Sequence, residues 1–181
     1  MLEIGSFLWC RPYFVLEPEW CHVLDDGNGT AVGYIICAPN TPGFVGRYRQ
    51  EFFSVVAQHG ITPGKAENES ELATQLKGSV FDPENMLHKD YPALVEQYPA
   101  HLHIDILSSH QGQRWGEKMI DVLLEKLKTS KIRGIYLGMD GKNQRAHKFY
   151  DRINFERFSG MNEQGELGRK GGAVYRVKKI Q

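Results

Sequence analysis

Polar and apolar residues alternate along 101–107 (HLHIDIL). Leu102, Ile104 and Ile106 fall on one side and His101, His103 and Asp105 on the other, which predicts a strand with one apolar face. Over 112–129 the apolar residues recur at helical spacing instead. Trp115, Met119, Val122, Leu123 and Leu127 mark the stripe that a helix would bury. A short strand is expected at 133–139 (RGIYLGM). A second helix follows over 143–152, with Ala146, Phe149, Tyr150 and Ile153 near one face, and Asn154 ends it. Asparagine tolerates the left-handed conformation that often closes a helix. Strands at 155–159 and 173–180 flank a loop carrying Gly160, Gly165, Gly168, Gly171 and Gly172.

The first half is patterned less sharply. Residues 19–26 and 30–38 read as two strands around Asp26-Gly27-Asn28-Gly29, a hairpin turn signal. Pro39, Pro42 and Gly43 break the chain. Phe44, Tyr48, Phe52, Val55 and Val56 give 44–58 helical spacing, and 69–77 and 84–97 read as shorter helical pieces. A strand–helix–strand–helix order behind a leading hairpin implies one layered α/β domain over 1–181, its sheet mixed. With 41% hydrophobic and 24% charged residues the chain has an ordinary globular composition.

Charge narrows the classes. Twenty-two basic and 22 acidic residues cancel, so there is no general attraction to nucleic acid or to an anionic membrane. No apolar run approaches the roughly 20 residues that span a bilayer, and the opening MLEIGSFLWCRPYF is too polar and broken for a signal peptide. Cys10, Cys21 and Cys37 are odd in number and widely spaced, which fits reduced thiols in a cytoplasmic or nuclear protein rather than a disulfide framework or zinc site. No metal is implied.

The informative stretch begins where the 101–107 strand ends. Gln111-Gly112-Gln113-Arg114-Trp115-Gly116 opens the next helix. A first helical turn presents unpaired N–H groups and the positive end of the dipole, and glycines let a phosphate come close. The turn can therefore hold a pyrophosphate without a P-loop lysine. GxxxxGK followed by Ser or Thr is absent from the chain, and GxGxxG is absent at this turn.

QGQRWG resembles the Q/R-x-x-G-x-G/A signature of the GNAT N-acetyltransferase family. The run from Asn143 through Ala146, Phe149 and Tyr150 to Asn154-Phe155 is similar to that family's N-x-x-A-x-x-F/L-Y-x-x-x-G-F. The two motifs stand in family order, and the resemblance extends over 101–159 and the hairpin. YPAHLHIDIL further resembles bacterial and fungal relatives of the acetyltransferase-like C-terminal domain of O-GlcNAcase. The resemblance implies the GNAT fold, a mixed and mostly antiparallel sheet with helices on both faces, opened into a V between the strands at 101–107 and 133–139. It implies an acetyl-CoA-binding core over about 101–159.

Residue roles follow from the same resemblance. Backbone groups of Ile106 and Leu107 would pair with the pantetheine arm. Past Gln111, the amides of Gly112, Gln113, Arg114, Trp115, Gly116 and Glu117 would hold the pyrophosphate. Asn143 would bond the pantetheine, unless it serves only as a helix N-cap. Phe149 would line the channel, and Tyr150 would protonate the departing thiolate. The sequence departs from the family pattern at three places. Arg114 replaces the middle glycine and is expected at helical angles, its guanidinium on the phosphates. Asn154 replaces a glycine. The hairpin starts near residue 19, where the family normally has a first strand and two helices before it. That acceptor-shaping piece is expected to be missing, altered or supplied by a partner chain, so a homodimer is allowed for.

Amide formation needs a neutral amine, and with a pKa near 10 only about one alkyl amine in a thousand is neutral at pH 7. Asp105, on the polar side of the strand beside the expected thioester, is the candidate base, with a plain salt bridge on the sheet as its rival. His103, two residues back on the same side, could share that work or relay through water, with a structural role as its rival. A backbone N–H near Ile106 or Leu107 would stabilise the oxyanion. Trp115 also fits a core position, and Glu17 and Glu19 around Pro18 read as a solvated surface. The expected activity is direct acetyl transfer from acetyl-CoA to an unidentified amine. Its rivals are a non-catalytic CoA-binding module and a purely structural domain.

Overall fold

The alternation of 101–106 becomes the third strand of a six-stranded sheet in the computed structural model, which describes residues 2–67, 69–159 and 173–180. The glycine-rich loop expected between the last two strands lies outside the described residues. Two short helices, α1 (Leu2–Trp9) and α2 (Arg11–Leu16), precede the hairpin of β1 (Cys21–Asp25) and β2 (Ala31–Ala38). The hairpin turn is tied by its own aspartates. Asp25 Oδ1 accepts from the amides of Gly27 and Gly29, and Asp26 Oδ1 from those of Asn28 and Thr30. Gly27 and Gly29 sit at φ 89° and 84°, which glycine adopts without strain.

A helical segment fills 41–97: α3 (Thr41–Arg47), a π-turn (Tyr48–Phe52), α4 (Phe53–Gln58), α5 (Glu71–Val80), a 3₁₀ turn (Pro83–Leu87) and α6 (Pro92–Gln97). Asn40 and Ser70 start α3 and α5 by accepting from Gly43 and Ala73 amides, the ordinary role of an N-cap. Then follow β3 (Ala100–Ile106), α7 (Trp115–Thr129), β4 (Gly134–Asp140), α8 (Gln144–Arg152), β5 (Glu156–Arg157) and β6 (Ala173–Lys179).

The strand order is β1-β2-β3-β4-β6-β5, with β3–β4 parallel and every other neighbour antiparallel. Helices cover both faces. On one, Met119, Ile120, Leu123 and Leu127 of α7 and Tyr150 of α8 pack on Ile35, Leu102, Ile135 and Leu137. Fully buried Leu123 and Leu127 each contribute about 2 kcal/mol by leaving water. On the other, Phe7, Tyr13, Phe44, Tyr48 and Phe52 pack on Ile36 and Ala38. The α7 stripe differs from the expected one. Val122 is 57% exposed, because Met119, Ile120, Leu123 and Leu127 already fill the buried face.

The feature that positions the site is a fork. β3 and β4 pair only at Ala100↔Ile135 and His101↔Tyr136. Beyond that, β3 stays on β2 as far as Gly33↔Ile106, and β4 stays on β6 as far as Asp140↔Ala173. This is the V expected between the two strands. The Leu107 amide donates to Val32 O at 2.9 Å. Antiparallel alternation therefore turns the peptide groups of Ile104 and Ile106 away from β2, toward the opening.

Three expectations change. The N-terminal piece, expected to be missing, altered or supplied by a partner chain, is present in altered form as α1 and α2, and the 41–97 helices stand with it on the same face. α7 begins at Trp115 rather than 112, because Gly112 (φ 79°) and Arg114 (φ 64°) take left-handed angles before it. Arg114 is thus not helical. Asn154 does adopt the left-handed angle, φ 59°.

Candidate functional site

The turn between β3 and α7 leaves an unusual set of donors. Ser108–His110 forms a 3₁₀ turn, the Gln111 amide donates back to Ser108 O, and the first amide donating into the helix is that of Lys118, to Arg114 O. Between them, the six consecutive amides from Gly112 to Glu117 donate to no acceptor among the described residues. Gly112 and Arg114 produce this run, since their left-handed angles keep the chain from closing helical bonds. Gln111 fixes the turn to the strand by donating from Nε2 to Ile106 O at 2.6 Å.

Gly112, Arg114, Trp115 and Gly116 of this run line a cleft of about 480 Å³ between the end of β3, the start of α7 and one face of α8. Most of the sequence-named residues meet there: Asp105, Ile106, Gln111, Gly112, Arg114, Trp115, Gly116, Asn143, Phe149 and Tyr150 line it. Three do not. Leu107 is turned outward and 56% exposed, and its N–H is given to Val32 O, so it supplies no oxyanion donor. Gln113 bonds Ser109 O at 3.4 Å and accepts from Trp115 Nε1 at 3.3 Å. Glu117 is held by Arg114 at 3.0 and 3.2 Å, and those hydrogen bonds keep its carboxyl below the usual range. Arg114 is thereby paired, but an exposed bridge of this kind is weak and readily exchanged.

Trp115 is partly exposed on the cleft with Lys118 Nζ 4.3 Å over its ring, not in the core. Asn143 is an N-cap, its Oδ1 accepting the Ala146 amide at 3.0 Å, which leaves its amide nitrogen for a ligand. Asp105 makes no salt bridge among the described residues; it accepts from Tyr34 O–H at 2.8 Å. Tyr150 is buried, and no hydrogen bond is made by its hydroxyl among the described residues. Burial, then the Asp105 charge, push its pKa well above the ordinary phenol range. Glu17 is buried against Arg47 rather than solvated, whereas Glu19 is exposed.

Sequence reasoning missed the cations of this cleft. Arg145, Lys148 and Arg152 line it from α8. Their i, i+3, i+7 spacing is a basic stripe that the sequence carried openly.

It also missed a second cleft, about 530 Å³, on the other side of the fork. β3 contributes His101 and His103, and β4 contributes Tyr136 and Asp140. α1 and α2 add Trp9 and Tyr13, the 3₁₀ turn after α5 adds Met86, and the residue that ends that turn is His88. Asp82 and Asp140 line it, and no described lysine or arginine does. The three histidines are held neutral by burial: His88 and His103 at about 4, His101 well below its usual value.

These histidines predict an acid response. Unfolded, they take up a proton near pH 6.5; folded, His88 and His103 wait until about 4. The unfolded chain binds more protons in between, so stability falls as pH drops through that window. Glu17, raised by burial, works in the opposite sense, but it is one group against three. Urea midpoints are expected to decline from pH 7 to 5; a flat profile would mean the histidines are not shielded.

Comparisons with known proteins agree with this geometry. The model of the acetyltransferase (GNAT) family matches residues 66–155. The crystal structure of SsHAT superposes with a TM-score of 0.82 at 30% identity, covering 98% of this chain and 81% of SsHAT. The crystal structure of an acetyltransferase matches at 0.58 and 16% identity, covering 99% and 80%. A chain of the NatC complex bound to Gag peptide and CoA matches at 0.50 and 13%, covering 94% and 77%. Among the described residues no helix is long and apolar enough to cross a membrane. With its forked sheet, its matched motif region and a relative alike over nearly its full length, the chain belongs to the acetyltransferase (GNAT) family.

Proposed function

We propose that this protein transfers the acetyl group of acetyl-CoA directly to a primary amine. The observation that carries the reading is the run of six unpaired amides from Gly112 to Glu117, four of whose residues line one cleft with Arg145, Lys148 and Arg152. Aligned N–H donors and cations are what a pyrophosphate requires, and no apolar ligand would recover their desolvation. When bound, acetyl-CoA supplies an activated acyl group. The outward-turned peptide groups of Ile104 and Ile106 are placed to bond its pantetheine as an added strand, with Asn143 and Phe149 beside it. Tyr150, protonated at neutral pH, is the proton donor for the leaving sulfur. Asp105 is the proton acceptor on the amine side.

The second cleft favours turnover over a non-catalytic CoA-binding role. It borders the same fork, and its aromatic walls with Asp82 and Asp140 suit a ligand that is cationic in water. The test is thiol release from acetyl-CoA with a panel of primary amines, run beside calorimetry of CoA binding. Amine-dependent release is expected. CoA binding without release to any amine would leave only a binding module.

A further inference from the structure

The hydrogen bonds from Thr41 to His103 have a single consistent direction. Thr41 Oγ1 lies 2.8 Å from Pro99 O, a carbonyl without hydrogen, so the hydroxyl proton must point there. The Thr41 oxygen then accepts from His101 Nδ1–H at 2.8 Å. A neutral imidazole has one N–H, so His101 Nε2 is bare and accepts the Tyr13 hydroxyl at 2.7 Å. Tyr13 has now used its proton, and its oxygen accepts from His103 Nε2–H at 2.9 Å. Burial keeps both rings neutral, so each has one tautomer. His103 Nδ1 is left as a bare lone pair. No described residue donates to it, it is not among the sealed unpartnered atoms, and its ring borders the second cleft.

We propose that His103 Nδ1 orients the acceptor by accepting an N–H of its amine, and that Tyr13, His101 and Thr41 are positioning residues that fix His103 in this tautomer. The proposal deepens the transfer reading and rests on it. The other groups facing His103 do not compete for the lone pair. Tyr34 O–H is given to Asp105, and Asp82, Asp140 and His88 lie along the cleft without a bond to the ring. An alkyl amine is about a millionfold more basic than a ring titrating near 4. His103 therefore holds an N–H of the amine rather than storing its proton.

The test combines a spectrum with kinetics on the full chain. Long-range ¹H–¹⁵N correlations are expected to show His103 protonated at Nε2 alone, and Tyr13→Phe is expected to mix its tautomers. With n-butylamine and Nα-acetyl-lysine as acceptors, His103→Leu is expected to raise the amine KM about tenfold or more, the usual effect of losing one buried acceptor. CoA affinity is expected to stay unchanged. His103→Asn, whose side-chain oxygen stands near the place of Nδ1, is expected to restore most of the loss. A spectrum showing Nδ1–H, or a Leu variant with the parent amine KM, overturns the proposal. If the Leu variant does not fold, the parent spectrum and Tyr13→Phe decide. A parent chain that binds CoA but acetylates neither amine overturns the transfer reading and this use of Nδ1 together. An active parent with an unaffected Leu variant overturns only the latter.

Discussion

Gly116→Asp is expected to weaken CoA binding by about a hundredfold, near 2.7 kcal/mol, while the fold persists. Gly116 is the second residue of α7, and a β-carbon there would stand 3.2 Å from Phe149 Cζ and 3.4 Å from its Cε2. The ring, which lines the cleft, must give by a few tenths of an ångström. The new carboxylate also competes for the free amides and repels any phosphate brought to them. A negative side chain in the first turn favours the helix itself, so unfolding does not explain the loss. Circular dichroism should be unchanged and thermal melting nearly so. Gly116→Ala carries the steric part alone and should lose less. Parent-like affinity in the Asp variant would mean that the turn does not hold the phosphates.

Tyr150→Phe is expected to lower kcat by roughly a hundredfold, the lower range for loss of a positioned acid, with CoA affinity nearly intact. Tyr150 is a buried residue whose hydroxyl bonds to nothing among the described residues, so its removal breaks no contact that holds the fold. Burial and Asp105 keep the phenol protonated far above neutral pH. A proton donor is therefore in place whenever negative charge develops on the leaving sulfur, and the ring packing on Phe149 and Phe155 survives in the variant. Steady-state rates with the best amine, set against calorimetric affinity for CoA, separate the two effects. An unchanged kcat would remove the acid role.

The parts of the molecule legible in the sequence are those set by local periodicity. β3 alternates with period two, α8 repeats Ala146, Phe149, Tyr150 and Ile153 at helical spacing, and both landed on the expected faces. The start of α7 was not legible, because it depends on Arg114 at φ 64°, an angle that residue type does not favour. α1 and α2 were missed for another reason. LEIGSFLW is apolar on most sides and carries a glycine, so it shows little helical contrast, although Pro12 in the first turn of α2 was a start signal. The second cleft could not be read at all. Tyr13 meets His101 and His103 across 88 and 90 positions, and only the packing of α2 on the sheet brings them together. Within the first cleft, the motif residues were found and the α8 cations overlooked, since the family pattern fixes Asn143 and Tyr150 but not Arg145, Lys148 or Arg152.

The measurement that bears most directly on the phosphate-holding turn is a paired calorimetric titration with CoA and with pantetheine, which lacks the pyrophosphate and the nucleotide. Six free amides and three cations on that side predict that CoA binds at least about a hundredfold more tightly, and that added salt narrows the gap. Equal affinities, or heat from neither ligand, would contradict the account.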